Sequence, residues 1–217
     1  MAAGARIHQQ IGAGPEAESR TLRVSEKLVD IFRGGSGEVN CHEITSLDKD
    51  STGMDMVKYF LLKGGSIGCF RMASHYAPLA YDAIKAELEE DRGNVPEAPL
   101  SCTALLAKKM GASEKHQTMA AGLAGGIGLC GEACGALGTA AWLEAMKMKG
   151  EDPELDLWKD DKFGARFETM VEKFLKASDY EFECAYIVGR KFEGIEDHAE
   201  YLQNSGCSKI IEALASD

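Results

Sequence analysis

The spacing of apolar residues is the feature that most limits how this chain can fold. Apolar side chains recur every three or four residues, as in Leu22, Val24, Leu28, Ile31 and Phe32, and no segment shows the alternation that is typical of strands. Residues with that period lie on one face of a helix, which is buried against other helices. The sequence therefore predicts an all-α protein, a compact multi-helix domain with a partial internal repeat.

Glycine, proline and serine residues predict where the helices begin and end. The first apolar stripe is expected to stop at Gly34-Gly35, and Ser101 and Ser113 are expected to cap two later helices. The other helices are expected at 54–62, at 68–90 with a kink near Pro78, and around 131–149, 158–176, 184–191, 195–203 and 207–215. Residues 91–99, with one glycine and two prolines, are the best candidate for a linker.

This linker divides the chain into residues 1–95 and 96–217. In each part a phenylalanine precedes a cysteine by nine or ten residues, and a Gly-Cys pair follows. The matching residues are Phe32, Cys41 and Gly68-Cys69 in the first part, and Phe174, Cys184 and Gly206-Cys207 in the second. The pattern predicts that 1–95 is a helical half-repeat, similar to the back half of a unit that is complete in 96–217.

Charge and hydropathy exclude several classes of function. The net charge is −11, whereas a protein that binds nucleic acid needs clustered Lys and Arg to displace counterions from phosphates. The most apolar stretch, 119–129, is shorter than the roughly 20 residues of a membrane-spanning helix. The N-terminal residues do not have the form of a signal peptide. We expect a cytoplasmic protein that neither binds nucleic acid nor inserts into a membrane.

The chain contains seven cysteines, which is a high number for a reducing compartment. They are residues 41, 69, 102, 130, 134, 184 and 207. No CxxC motif is present, which excludes the zinc-ribbon knuckle, the thioredoxin motif and the bacterial ferredoxin motif. Any metal or redox site must therefore be assembled from cysteines that are distant in sequence. The alternative is that each cysteine is a small buried hydrophobic residue.

Several cysteines share a local setting that favours reactivity. Cys69, Cys102, Cys184 and Cys207 each stand where an apolar-periodic segment begins. The free N–H groups at the start of a helix favour the thiolate over the thiol, so we expect low pKa values for these cysteines. The glycine-rich segment 122–138 flanks Cys130 and Cys134, and it offers either room for a cofactor or close packing of helices.

Four of the cysteine segments together resemble a known family. The segments are SCTALLAKKMG with Cys102, GEACGALGTA with Cys134, ECAYIVG with Cys184 and GCSKIIEAL with Cys207. Their order resembles the C_GCAxxG_C_C family of redox-active proteins, with its central motif taken as CGAxxG, over about 100–215. The resemblance implies an all-helical domain with four hallmark cysteines and a redox or iron–sulfur role. In this chain Thr139 occupies the sixth position of CGAxxG, and Gly138 stands one residue earlier.

Three hypotheses follow for the function. In the first, Cys102, Cys134, Cys184 and Cys207 hold an iron–sulfur cluster that passes electrons to a redox partner protein. In the second, cysteines of low pKa make the protein a thiol–disulfide oxidoreductase. In the third, the cysteines bind a structural zinc ion or no cofactor at all. These hypotheses leave open whether the protein is an enzyme.

The other cysteines and the histidines are secondary candidates. Cys41, Cys69 and Cys130 are candidate ligands of a second site, for which a second subunit of a homodimer could supply the missing ligands. The histidines at 42, 75, 116 and 198 are expected to be solvated or satisfied within the core.

Overall fold

The structure is a computed structural model that describes residues 1–48, 50–62, 64–90, 100–157, 159 and 161–216. The all-α prediction is confirmed, since the only extended pairing among these residues is one bridge between Ala133 and Glu183. The helices are α1 Ala2–Ile11, α2 Pro15–Ser36, α3 Cys41–Thr45, α4 Gly53–Val57, α5 Gly65–Glu89, α6 Cys102–Lys109, α7 Glu114–Ala121, α8 Gly135–Glu151, α9 Asp161–Ala177, α10 Cys184–Val188, α11 Ile195–Gln203 and α12 Ser208–Ala215. A π-helical turn, Lys58–Leu62, follows α4. The predicted linker 91–99 lies outside the described residues.

The end of α2 differs from the prediction. Helix α2 continues through Gly34-Gly35, because a glycine inside a helix costs only about 1 kcal/mol and does not by itself end it. The helix ends one residue before Gly37, whose φ of 84° is left-handed and whose N–H donates to the Arg33 carbonyl oxygen over 2.8 Å. Helix α5 contains Pro78 in its interior, as predicted for a single helix that runs through this proline.

The described chain divides into two units. The first comprises Met1–Glu26 and Asp91–Asp217, so residues 1–26 pack with the C-terminal part rather than with the predicted N-terminal half. Its core joins α6 to α7, α8 and α12, and α9 to α8 and α12. Fully buried members include Leu100, Leu106 and Phe174.

The second unit is Lys27–Glu90. Within it the rings of Phe32 and Tyr76 meet edge to face with centroids 5.4 Å apart, and the Lys27 ammonium lies 3.0 Å from the Glu87 carboxylate. Among its described residues no apolar side chain is buried. In the described parts of both units, no helix combines the length and the hydropathy needed to cross a membrane.

Ser101 caps α6, as the sequence predicted. Its hydroxyl accepts the Ala104 N–H over 3.1 Å and donates to the Ala121 carbonyl oxygen, also over 3.1 Å. We expect Ser101→Ala to lower the free energy of unfolding by about 1–2 kcal/mol, because the buried Ala104 N–H and Ala121 carbonyl lose a partner. Urea unfolding followed by circular dichroism measures this change, and an unaltered midpoint would contradict the capping role.

Candidate functional site

Four cysteines stand at the beginnings of four helices in the first unit. Cys102 and Cys184 are the first residues of α6 and α10, and Cys134 and Cys207 are the N-cap residues of α8 and α12. The prediction of helix starts is therefore confirmed for Cys102, Cys184 and Cys207. It is wrong for Cys69, which lies in the second turn of α5.

These four cysteines belong to one apolar cluster. Cys102 and Cys184 are buried members of the cluster, with 5% and 7% of their surface exposed, and Cys134 and Cys207 are half-buried against it. Residues far apart in sequence are thus brought to one place, because the helices that they begin share a core. Other buried members of this cluster include Phe174, Phe192 and Ile195, which form an apolar wall beside the cysteines.

A short piece of extended chain fixes Cys134 relative to Cys184. The Cys134 N–H donates to the Phe182 carbonyl oxygen over 2.8 Å, and the Cys184 N–H donates to the Glu132 carbonyl oxygen over 2.7 Å. These bonds flank the antiparallel pair Ala133–Glu183. Residues next to a bridged pair point to the opposite face from it, so the two cysteine side chains share one face as diagonal neighbours.

Cys102 has the closest contacts of the four. Its thiol interacts with the Cys207 thiol and lies near the His198 side chain. It also lies within electrostatic range of Cys134 and Cys184. Cys102 is therefore the common neighbour of the other three cysteines.

His198 is a member of this site that the sequence analysis missed. Its side chain is fully buried, and its Nδ1 lies 2.8 Å from the Leu100 carbonyl oxygen. That contact places a proton on Nδ1, so Nε2 presents a lone pair in the neutral ring. Among the described residues Nε2 has no hydrogen-bond partner, and the ring lies near the Cys102 thiol. Ile195, His198 and Leu202 follow the helical period in the sequence. This pattern indicates that His198 lies on the buried face of α11.

The thiols are harder to ionise than the helix positions suggested. Burial raises the pKa of Cys134 to about 11, against the opposing effect of the Leu137 and Ala136 N–H groups. Burial, with the neighbouring Cys102, raises the pKa of Cys184 to about 12, and the hydrogen bond from Cys207 together with burial raises the pKa of Cys102. The prediction of low pKa values is wrong for Cys102 and Cys184, because desolvation outweighs the helix N-terminus.

These raised pKa values give a pH-dependent stability for the reduced, metal-free protein. A group whose pKa is higher in the folded than in the unfolded state stabilises the fold below its unfolded pKa, near 8.5, and this contribution is lost as the pH rises through the folded value. The stability that Cys134 and Cys184 contribute should therefore be constant up to about pH 8 and decline between about pH 9 and 12. Urea unfolding across this range measures the decline.

A matched variant isolates the thiol contribution from that of lysines and tyrosines. Cys134→Ala with Cys184→Ala should show a shallower loss of stability at alkaline pH than the parent. If the free energy of unfolding fell equally steeply with pH in the two proteins, these two thiols would not have the raised pKa values described above.

The other three cysteines have different surroundings. Cys130 is buried, and its thiol donates to the Gly126 carbonyl oxygen over 2.8 Å. Cys130 lies within electrostatic range of Cys184. Cys41 is exposed and Cys69 is half-buried, and both belong to the second unit, where they interact with Tyr59.

The glycine-rich segment 122–138 serves close packing of the backbone. No helix covers both Cys130 and Cys134, because residues 122–129 form successive turns and α8 begins only at Gly135. The Leu123 carbonyl oxygen occupies the place where a side chain of Gly135 would begin. Of the two interpretations of this segment, the contacts at Gly135 favour packing.

The geometry of the described side chains also bears on metal binding. In the ranges given above, no three side chains of His, Cys, Asp or Glu form an arrangement that would hold a single metal ion. A structural zinc ion needs four ligands, each at about 2.0–2.3 Å from one centre. The described side chains therefore do not form a preassembled site for a single zinc ion.

Comparison with known proteins gives one match. The model of the family described as "Putative redox-active protein (C_GCAxxG_C_C)" matches residues 100–216, more than half of the chain. The pattern in this description is GCAxxG, so the motif CGAxxG assumed from the sequence was wrong. With Cys134 on the cysteine of the pattern, Gly138 falls on its last glycine, and Ala133 and Gly135 replace its first glycine and its alanine. No curated protein and no solved structure gives a significant match.

Proposed function

This chain belongs to the C_GCAxxG_C_C family, and we propose that its Cys102, Cys134, Cys184 and Cys207 hold an iron–sulfur cluster that exchanges electrons with a redox partner protein. The observation that carries this proposal is the convergence of four thiols, from the beginnings of four helices, in one apolar cluster. Thiolates are the soft ligands that iron–sulfur clusters take in proteins. An iron–sulfur cluster contains several metal atoms, so its ligands are spread more widely than those of a single ion.

The surroundings of the four sulfur atoms fit such a group. Fully buried His198 lies near Cys102, where its Nε2, when protonated, would donate a hydrogen bond to a thiolate sulfur. The N–H groups of Leu137 and Ala136 favour negative charge on the Cys134 sulfur. Hydrogen bonds to sulfur and burial are the means by which a protein sets a cluster potential. A cluster bound here would supply one-electron transfer.

Each residue of the site has a definite task in this proposal. The bridge at Ala133–Glu183 holds Cys134 and Cys184 on one face, and α6 and α12 present Cys102 and Cys207. The apolar wall, including Phe174 and Phe192, keeps water away from the sulfur atoms. The Tyr201 hydroxyl accepts the Cys207 N–H and thereby orients the start of α12.

Anaerobic purification of the full chain tests the proposal. We expect a coloured protein with iron and acid-labile sulfide in comparable amounts, visible absorption that bleaches on reduction, and an electron paramagnetic resonance signal in one oxidation state. A colourless protein without iron or sulfide, after attempted reconstitution with both under reducing conditions, would refute it.

A second function is favoured by the direct contact between the Cys102 and Cys207 thiols. In this alternative the two thiols lose two protons and two electrons, an S–S bond forms between them, and an oxidised disulfide of a partner is reduced to two thiols. It ranks second because the attacking species is the thiolate, and the pKa of Cys102 is raised.

Thiol titration distinguishes the two functions. An iron-free protein that loses two thiols on exposure to oxidised glutathione, with a Cys102–Cys207 link in the peptide mass spectrum, would establish the disulfide function. An unchanged thiol count in the iron-free protein would exclude it.

A further inference from the structure

A cavity of about 830 Å³ lies in the first unit, where α6 and α12 end. Met110 after α6 and Ser216 after α12 line one side of it, and parts of α7, α8 and α9 line the rest. Cys102 and Cys207 stand at the opposite ends of α6 and α12, and a helix of eight residues is about 12 Å long. The cavity is thus separated from both thiols by the length of a helix. Sites for small molecules have volumes of roughly 300–1,000 Å³, so this cavity is large enough to be one.

Four side chains of the lining form an apolar floor. Leu143 and Leu214 are buried, with 9% and 5% of their surfaces exposed, and Met110 and Met170 are half-buried. Methionine side chains are flexible and adapt to the shape of an apolar ligand.

The lining offers little to a flat aromatic ligand. The one aromatic ring among the described lining residues belongs to His116. This ring already packs edge to face with Trp142, with centroids 5.3 Å apart. The floor therefore suits an aliphatic body better than a flat ring.

The polar part of the lining carries an excess of positive charge. Among its described residues Lys147, Arg166 and Lys173 are cationic and Glu144 is the single acid, so the lining has a net charge of +2. The whole chain has a net charge of −11 and repels an anion on average. A local surplus of cations in such a chain therefore determines where an anion can bind.

The partners of these charged groups differ. Arg166 donates to the Glu144 carboxylate, and the Lys173 ammonium donates to the Ser216 carbonyl oxygen over 2.8 Å. Lys147 forms no ion pair with any residue in the described part of the chain. Its ammonium group is therefore available to an anionic group in the cavity.

We propose that this cavity binds a small organic anion that has an aliphatic body and one anionic head, either a carboxylate or a phosphate monoester. The body lies on the apolar floor, and the head pairs with the Lys147 ammonium. Arg166 and Lys173 keep the potential around the head positive. No covalent step is involved, and binding does not depend on the group that the four cysteines hold.

Calorimetric titration of the full chain tests the proposal with four probes that share one body and differ in the head. The probes are octanoate, octyl phosphate, octanol and octylammonium, each below the concentration at which it forms micelles. We expect one site per chain for octanoate or octyl phosphate, with an affinity at least about threefold higher than that of octanol, since partly exposed ion pairs have effects of this size. Octylammonium should bind more weakly than octanol.

Three variants locate the binding site. Lys147→Ala should weaken the binding of the anionic probes by about threefold and leave that of octanol unchanged. Lys149→Ala is the matched control, because it removes the same charge from α8 outside the cavity, where Lys149 donates to the Pro153 carbonyl oxygen. Thr169→Trp places a large side chain in the cavity and should weaken every probe at least about tenfold.

The inference fails if octylammonium binds as tightly as octanoate, or if Lys147→Ala and Lys149→Ala bind octanoate equally well. It also fails if Thr169→Trp, shown by circular dichroism to be folded, binds octanoate as the parent does, since the probe then lies elsewhere. Iron and sulfide content should be the same in the parent and the three variants, because none of them changes a cysteine. This readout keeps the test independent of the proposed cluster.

Discussion

Cys102→Ser is expected to lower the iron content of anaerobically purified protein at least tenfold and to remove its visible absorption. Cys102 interacts with Cys207, lies near His198 and is within electrostatic range of Cys134 and Cys184, so its loss affects every other cysteine of the proposed cluster site. A tenfold loss is a lower bound, because even outer-shell changes weaken metal binding by about 10–100-fold. Iron analysis and absorption spectroscopy of matched preparations measure the effect.

Cys130→Ser is the control for this prediction. Cys130 is also buried, but its thiol donates to the Gly126 carbonyl oxygen, and a serine hydroxyl can make the same bond. The Cys130 variant should therefore keep its iron and its colour. Equal loss in both variants would show that any buried cysteine change disturbs the unit, and full retention in Cys102→Ser would remove Cys102 from the ligand set.

Gly135→Ala is expected to destabilise the first unit by at least about 3 kcal/mol, as an overpacked backbone contact does. The added β-carbon would coincide with the Leu123 carbonyl oxygen, and neither backbone segment can move without displacing the start of α8. Because Cys134 caps that helix, the variant should also lose iron. Thermal or urea unfolding reports the first effect, and iron analysis reports the second.

Gly138→Ala in the same helix is the matched control. Gly138 is exposed, and a β-carbon there would have no atom within 4 Å. Alanine should leave the stability unchanged or raise it by up to about 1 kcal/mol. Similar destabilisation in both variants would contradict the contact at Gly135. Because Gly138 is the last glycine of the family pattern, loss of iron without loss of stability would assign it to the site rather than to the fold.

Much of the fold could be predicted from the sequence because helix signals are local. Ser101 and Ser113 cap helices as expected, since a serine hydroxyl at that position satisfies a free N–H group of the same helix. The end of α2 was misplaced because a glycine pair lowers helix stability without forbidding it, and only the left-handed Gly37 ends the helix.

The grouping of the four cysteines could be predicted from the sequence, but their ionisation could not. The family resemblance and the helix starts selected Cys102, Cys184 and Cys207, and these cysteines do share one cluster with Cys134. Their ionisation depends on burial, a property of the assembled helices that no local motif encodes. This is why raised pKa values replaced the expected low ones at Cys102 and Cys184.

The burial of His198 could have been predicted from the helical period of its apolar neighbours. Its neighbours in sequence, Asp197 and Glu196, are charged, yet the residues three before it and four after it on the helix are apolar and buried. A polar residue in phase with such a stripe is placed inside the protein, where it must find a partner.

The pairing of the Cys134 and Cys184 backbones limits how the site can respond to a change of oxidation state. Two of the four sulfur-bearing residues are tied by main-chain hydrogen bonds and can be displaced only together. Any adjustment of sulfur positions must then come from Cys102 on α6 or Cys207 on α12, neither of which shares that tether. The site thus has a stationary side at Cys134 and Cys184 and an adjustable side at Cys102 and Cys207.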